Sequence, residues 1–174
     1  MRKGFPDVMS ISKRLKYIAD LVSCGGVCAD IGTDHALVPV YLLKEGRVSK
    51  AIAADISREC VKKAEEAAAK YHLEGRLEAR RSDGLENISP GEVSTIIISG
   101  MGGILITRIL TDGLDVVKSA KELILSPHRD AELVREFLKD NGLEIVQDEI
   151  IEDKKKKYCV IKAVNRRFFL KEEP

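Results

Sequence analysis

Apolar positions in this chain keep two rhythms that alternate along its length. Between Ser12 and Val22, Leu15, Ile18, Ala19 and Val22 recur at helical spacing, while Lys13, Arg14 and Lys16 fall on the other side. Gly25-Gly26 ends that helix, and Val27 to Ile31 is a short apolar run of the kind that forms a buried strand. His35 to Glu45 is expected to be helical, with Gly46 closing it, and Lys50 to Asp55 (Ala51-Ile52-Ala53-Ala54 at its centre) is a second strand. Ser57 is placed to cap a long helix through Tyr71, rich in Ala, Lys and Glu.

The alternation continues. Leu77 to Arg80 predicts a third strand, and Thr95 to Ser99, with three consecutive isoleucines, a fourth. Gly103 to Asp112 predicts a helix, Glu122 to Leu125 a fifth strand, and Ala131 to Asn141 a helix with Gly142 at its C-terminal cap. Leu143 to Ile151 and Tyr158 to Val164 are two final strands joined by a charged turn, Glu152 to Lys157. Strands separated by helices imply a parallel sheet covered on both faces. The last two have no helix between them and should pair as an antiparallel hairpin at one edge. The expected fold is therefore α/β, a doubly wound, Rossmann-like sheet of seven strands, mostly parallel, which is the architecture of the class I methyltransferases.

Composition narrows the picture mainly by exclusion. Lys plus Arg (29) nearly balance Asp plus Glu (28), so any basic surface must come from segregation of charge. No apolar stretch approaches the roughly 20 residues needed to cross a bilayer, and Met1 to Met9 has no apolar core of a signal peptide. Cys24, Cys28, Cys60 and Cys159 follow no disulfide framework and lack a second Cys or His pair at metal-binding spacing. A cytoplasmic, monomeric protein with no metal and no membrane partner is expected.

The chemistry gathers at strand ends, where open α/β sheets bind their ligands. The first strand runs into Asp30-Ile31-Gly32-Thr33-Asp34-His35-Ala36, the second ends at Asp55-Ile56, and the third is followed by Ser82-Asp83-Gly84. A dinucleotide fingerprint would need G-x-G-x-x-G and a helix start free to hold phosphate. Here Asp34 stands where the second glycine would be. Two carboxylates repel a pyrophosphate but suit a ligand that is cationic at its reactive end, which points to S-adenosylmethionine. Asp55 is placed to accept both ribose hydroxyls and Asp83 to meet the exocyclic amine of an adenine. Singly, each acid has a plainer use, as a helix cap or a turn residue. It is their order at three successive strand ends that favours a nucleoside cofactor.

With those residues in view, the chain resembles TrmK, the bacterial tRNA (adenine22-N1)-methyltransferases, from about Ser12 to Val164. The resemblance is carried by Ser12-Lys13-Arg14-Leu15, by Ala29 to Ala36, by Pro39, by Gly100-Met101-Gly102-Gly103, by Leu123-Ile124-Leu125-Ser126-Pro127 and by the closing strand at Tyr158. It implies methyl transfer from S-adenosylmethionine to N1 of an adenine in the D arm of tRNA. It also implies a cofactor held over the first-strand loop and Asp34 as the catalytic group. Where the family commonly has Gln-Pro-Asn after the fifth strand, this chain has Ser126-Pro127-His128. The family usually continues into a helical, coiled-coil-like C-terminal domain; here residues 1–165 are expected to form the methyltransferase domain and 166–174 a short tail, with that second domain absent.

The resulting expectation assigns Asp34 and His35 to catalysis. Asp30, Gly32, Asp55, Ile56, Asp83, Gly84 and Gly100 are assigned to the cofactor. Met101, Gly102, Gly103, His128, Lys13 and Arg14 are assigned to the substrate. Methylation of the exocyclic N6 would ordinarily use an Asn/Asp-Pro-Pro-aromatic loop after the fourth strand, and Gly100 to Gly103 has neither the amide nor the aromatic group. Further RNA contacts are sought at Lys16, at Arg129 and Arg135, and at Lys154 to Lys157, with Arg166 and Arg167 extending that last patch, although such a charge run is ordinarily a solvated turn. The competing readings are a methyltransferase for another substrate and a cofactor- or RNA-binding module without catalysis.

Overall fold

The computed structural model describes residues 9–23 and 25–170. The segment before Met9 examined for a signal peptide, Cys24 and the last four residues of the tail lie outside the described residues. Seven strands among the described residues form one sheet: β1 (Val27–Ile31), β2 (Lys50–Asp55), β3 (Leu77–Arg81), β4 (Thr95–Met101), β5 (Glu122–Pro127), β6 (Glu144–Asp153) and β7 (Lys156–Val164). Their order is β3-β2-β1-β4-β5-β7-β6. The first five pair in parallel, and β7 runs antiparallel between β5 and β6. The expected fold class is borne out, including the antiparallel edge hairpin.

Among the described residues six α-helices cover the sheet: α1 (Lys13–Asp20), α2 (Leu37–Lys44), α3 (Arg58–Lys70), α4 (Gly103–Asp112), α5 (Leu114–Ser119) and α6 (Ala131–Asp140). Because side chains alternate across a strand, each central strand feeds two cores. Ala29, Ile52, Ile96, Ile98 and Leu123 pack with Ile106, Leu110 and Leu138 of α4 and α6. Cys28, Ala53, Ile97 and Ile124 pack against Ile18, Leu42 and Ala64 of α1, α2 and α3. Burial on both faces is why Ile96 to Ile98 reads as an unbroken apolar run.

Four local features differ from expectation. The first-strand loop is longer, because α2 begins at Leu37 and its N-cap, Ala36, is left-handed at φ 53°. Asp34 and His35 therefore precede the helix instead of opening it. Pro39 falls in the first turn, where its missing N–H leaves no helical bond unmade. Second, β4 does not stop at Ser99. Its pairing with β5 shifts between Ser99 and Met101, with Gly100 at φ 79° as the extra residue of a bulge.

Third, helix α5 went unpredicted: it is short, and Val116 and Val117 favour strand. Fourth, the segment from Glu152 to Lys157 is mostly strand. The ladder runs to Asp153↔Lys156, and only Lys154 and Lys155 form the turn.

Candidate active site

The carboxyl ends of β1 to β5 outline a crevice, and the predicted residues other than Lys13 and Arg14 stand on or beside the loops that border it. At its floor Asp30 is 7% exposed. Burial pushes its carboxyl up to about 6, the nearby Thr33 hydroxyl eases that, and the charge of Asp55 adds to it. No cation reaches this carboxylate among the described residues. The Thr33 hydroxyl lies beside it but outside hydrogen-bond geometry, and is a buried polar atom without a partner. A buried acid and an idle hydroxyl at a strand end are what a bound ligand with a positive group would complete.

Above Asp30 the chain turns at Gly32, φ 77°, whose N–H donates to the Ala54 carbonyl at 2.8 Å, as does that of Thr33 at 3.1 Å. These bonds lash the first-strand loop to the end of β2. A Cβ on Gly32 would stand 2.1 Å from the Met101 methyl. The bulge at Gly100 is what aims Met101 here, from β4 across the neighbouring β1 turn. Thus Gly32 and Met101, assigned separately to cofactor and substrate, are in direct contact.

At the end of β2, Asp55 Oδ1 accepts the Ser57 N–H at 2.8 Å. Ile56 beside it is 58% exposed, an apolar side chain standing in solvent at the crevice. Asp83 is exposed on the turn after β3, which Ser82 stiffens by donating to the Gly84 carbonyl at 2.8 Å and accepting the Asn87 N–H at 3.0 Å. Gly84 is left-handed at φ 58° and packs against Ile109 of α4.

On the other side of β1, the loops after β4 and β5 interlock. Met101 accepts the His128 N–H at 2.9 Å, and the Gly103 N–H donates to the Arg129 carbonyl at 2.8 Å. A Cβ on Gly103 would lie 2.1 Å from the Asp130 carbonyl oxygen, so the close approach of the two loops requires glycine there. His128 Nε2 borders Gly100, 3.9 Å from where a Cβ would stand, so the structure brings Gly100 to Gly103 and His128 into one wall.

Asp34 and His35 are both exposed and 3.4 Å apart (Oδ2 to Nε2). The other contacts of Asp34 are with α3: Lys63 Nζ and Cys60 Sγ each lie 4.0 Å from its Oδ1. The structure thus joins Asp34 to His35 and sets its carboxylate against α3. Thr33, Cys60 and Lys63 were not assigned to the site from the sequence. The one available signal was that Cys60 and Lys63 are three apart on a helix, and so share a face.

Of the basic residues, Arg14 is half-buried, with its guanidinium 4.7 Å above the Tyr158 ring and its backbone N–H on Asp153 Oδ2 at 3.1 Å. Lys13 is exposed one residue earlier. Lys16 pairs with Asp20 at 2.7 Å, and Arg135 is held by Asp148 and Glu132. Arg166 and Arg167 do not extend the Lys154 to Lys157 patch. They follow the far end of β7, where Arg166 pairs with Glu144 and Arg167 donates to the Lys118 carbonyl. Among the described residues no cluster of His, Cys, Asp or Glu could hold a metal, and no helix is long and apolar enough to cross a membrane.

Comparison with known proteins places this geometry. A family model described as a methyltransferase domain matches residues 11–161. The tRNA (adenine(22)-N(1))-methyltransferase of Bacillus subtilis is 37% identical over 155 residues, covering 89% of this chain and 65% of that protein. This chain thus spans slightly less than two thirds of that relative. The crystal structure of B. subtilis TrmK superposes with a TM-score of 0.85 at 37% identity, over 89% of this chain and 66% of that one. Sp1610 of Streptococcus pneumoniae, in complex with S-adenosyl-L-methionine, gives 0.86 at 35% identity, over 89% and 73%. TrmK of M. capricolum, in complex with S-adenosyl-homocysteine, gives 0.82 at 25% identity, over 90% and 69%. The chain belongs to the methyltransferase domain family and, within it, to the TrmK proteins.

Proposed function

We propose that this chain transfers the methyl group of S-adenosylmethionine to N1 of an adenine in the D arm of tRNA, position 22. The relatives above, with their named activity and bound cofactor or product, support the reading. The observation that carries it is the crevice floor: Asp30 buried without a cation, beneath a left-handed glycine turn that has no room for a side chain. When bound, the cofactor supplies an electrophilic methyl on a sulfonium, which the lone pair of neutral adenine N1 can accept, leaving the base cationic.

The chain's own residues divide the work. Asp30 and Thr33 complete the floor beneath the cationic end of the cofactor, and Gly32 lets it approach the backbone. Asp55, with one oxygen held by Ser57, offers the other to the ribose hydroxyls. Ile56 covers a face of the cofactor's adenine, and Asp83 with Gly84 meets its amine edge. Gly100 closes the cofactor side. Met101, Gly102, Gly103 and His128 form the wall against which the flipped target base rests, since a base within a stack cannot reach the methyl. Asp34, with His35 beside it, accepts a hydrogen bond from the target's N6 amine and stabilises the positive charge that develops on the ring.

Incubation with unmodified tRNA and cofactor, followed by primer extension, tests the proposal. N1 methylation blocks Watson–Crick pairing, so a new stop in the D arm is expected; its absence would refute the reading. The contacts of Asp34 with α3 favour a second role for that residue alone, as an anchor between loop and helix. Exposed pairs of this kind contribute only about 0.2–1 kcal/mol. Asp34→Ala should therefore abolish nearly all turnover while folding stability and cofactor affinity hold. A variant that keeps full activity, or fails only by unfolding, would assign Asp34 to the anchor.

A further inference from the structure

The β6–β7 hairpin outruns the sheet. Pairing of β7 with β5 ends at Leu125↔Ile161, and Ser126 Oγ donates to the Cys159 carbonyl at 2.8 Å. Beyond Cys159, the β6–β7 ladder continues alone through Ile151↔Tyr158, Glu152↔Lys157 and Asp153↔Lys156. At about 3.3 Å per residue the turn stands roughly 13 Å past the end of β5. Because β7 opposes β5, that turn projects from the carboxyl ends of the parallel strands, the end that holds the crevice. Three strand spacings of about 4.8 Å separate β7 from β1, so the arm rises roughly 15 Å from the Gly32 turn.

The tip carries Lys154, Lys155, Lys156 and Lys157, all exposed. Among the described residues none of these side chains has an ion-pair or hydrogen-bond partner. The nearby Asp153 is engaged by the backbone of α1, through the Arg14 N–H. Arg14 also lies over Tyr158, so α1 braces the arm and sets Lys13 near its base.

A solvated turn is the plain alternative, and the backbone argues against it. Lys154 and Lys155 have φ of 49° and 64°. A two-residue hairpin turn with positive φ at both positions is the place for Asn-Gly, which adopts those angles with little strain. Lysine at both positions makes the turn less stable than it need be. Strain retained at a projecting tip, with free charge as its only visible return, marks a binding element.

We infer that the Lys154–Lys155 hairpin is an arm that grips the phosphate backbone of the RNA whose base enters the crevice, an inference that rests on the RNA-methylating reading above. Its cations are point charges without an aromatic at the turn, which suits phosphates and not bases. The arm therefore adds affinity and orientation, and leaves sequence choice to other contacts.

The test replaces the turn by its least strained equivalent, K154N/K155G, and measures binding of a tRNA transcript by fluorescence anisotropy across a salt series. Loss of two phosphate contacts should weaken binding by about tenfold near 0.1 M salt and flatten the slope of log K against log salt by about 1.5. The thermal midpoint should hold or rise, and cofactor affinity should not change. A structural turn would behave in the opposite way, with altered stability and unchanged RNA binding, and that result would overturn the inference. So would displacement of the tRNA by polyglutamate as readily as by competitor RNA, or failure of the wild-type chain to bind tRNA. A D-arm stop with unchanged tRNA KM in the variant would overturn the arm and leave the methylation reading standing. Arm-dependent binding with no stop in the wild type would do the reverse.

Discussion

Glu122 and Asp30 are both buried carboxylates of central strands, at opposite ends of one sheet. Glu122 opens β5 and is surrounded by donors: the Ser23 N–H and hydroxyl, each at 2.8 Å, Thr95 Oγ1 at 2.9 Å and Lys162 Nζ at 3.1 Å. Lys162 in turn donates to the Leu21 carbonyl at 2.7 Å, which ties the end of α1 to the sheet. Asp30, near the end of β1, has a crowded apolar setting, a second acid nearby, and a hydroxyl that does not quite reach it. One end of the sheet is finished by its own side chains. The other is left incomplete, and there the crevice lies. Burial alone therefore does not single out Asp30; burial without partners does.

Removing each acid should have opposite consequences. Glu122→Ala strands Lys162 and the Ser23 and Thr95 donors, and breaking a buried pair in this way should destabilise the fold by about 3–5 kcal/mol. A loss below about 1 kcal/mol in chemical denaturation would mean that water replaces those bonds freely.

Asp30→Asn should stabilise the protein without cofactor. The Asp30 carboxyl is raised from 3.8 to about 6 in the folded chain, which therefore binds more protons than the unfolded chain between those values. Its contribution to stability falls as pH rises from about 4 to 6, and the deficit of about 2–3 kcal/mol persists above that. The difference between variant and wild type should be near zero below pH 4 and reach that size by about pH 7. An equal stability of the two proteins at neutral pH would show that Asp30 has a partner after all. The same variant should bind cofactor more weakly.

Smaller effects sharpen the contrast at the unfinished end further. Gly32→Ala combines a left-handed backbone with a methyl 2.1 Å from that of Met101, and should lower stability by about 2 kcal/mol and weaken cofactor binding. Adding Met101→Ala should recover the part due to the clash, read as non-additivity in a double-mutant cycle. Ile56→Ser removes apolar surface that is already exposed, so the fold should be indifferent. Cofactor affinity should fall by about 1 kcal/mol.

Much of this was legible in the chain. Four of the five parallel strands were placed within a few residues because each is a short, largely apolar run, whereas β3 (Leu-Glu-Ala-Arg-Arg) was placed by its position between a helix and the Ser82-Asp83-Gly84 turn. The acids at their ends could be ordered once the strands were. Details were lost where a backbone turns against local preference. Ala36 is left-handed without being Gly or Asn, so His35 looked like the first residue of a helix and Asp34 like its cap. Lys154-Lys155 turns a hairpin without the Asn-Gly that usually announces one, so the strands on either side were cut short. Gly100 read as part of a glycine-rich turn, whereas pairing with β5 makes it a bulge that turns Met101 over Gly32. The interplay of Asp30 and Thr33 has no sequence signature, since it depends on what neither residue touches.

The central claim is that the unfinished end of the sheet is completed by S-adenosylmethionine, and calorimetric titration of that cofactor into the chain at neutral pH tests it most directly. Saturable one-to-one binding that Asp30→Asn weakens is expected. No heat of binding, or an affinity that the variant leaves unchanged, would contradict it.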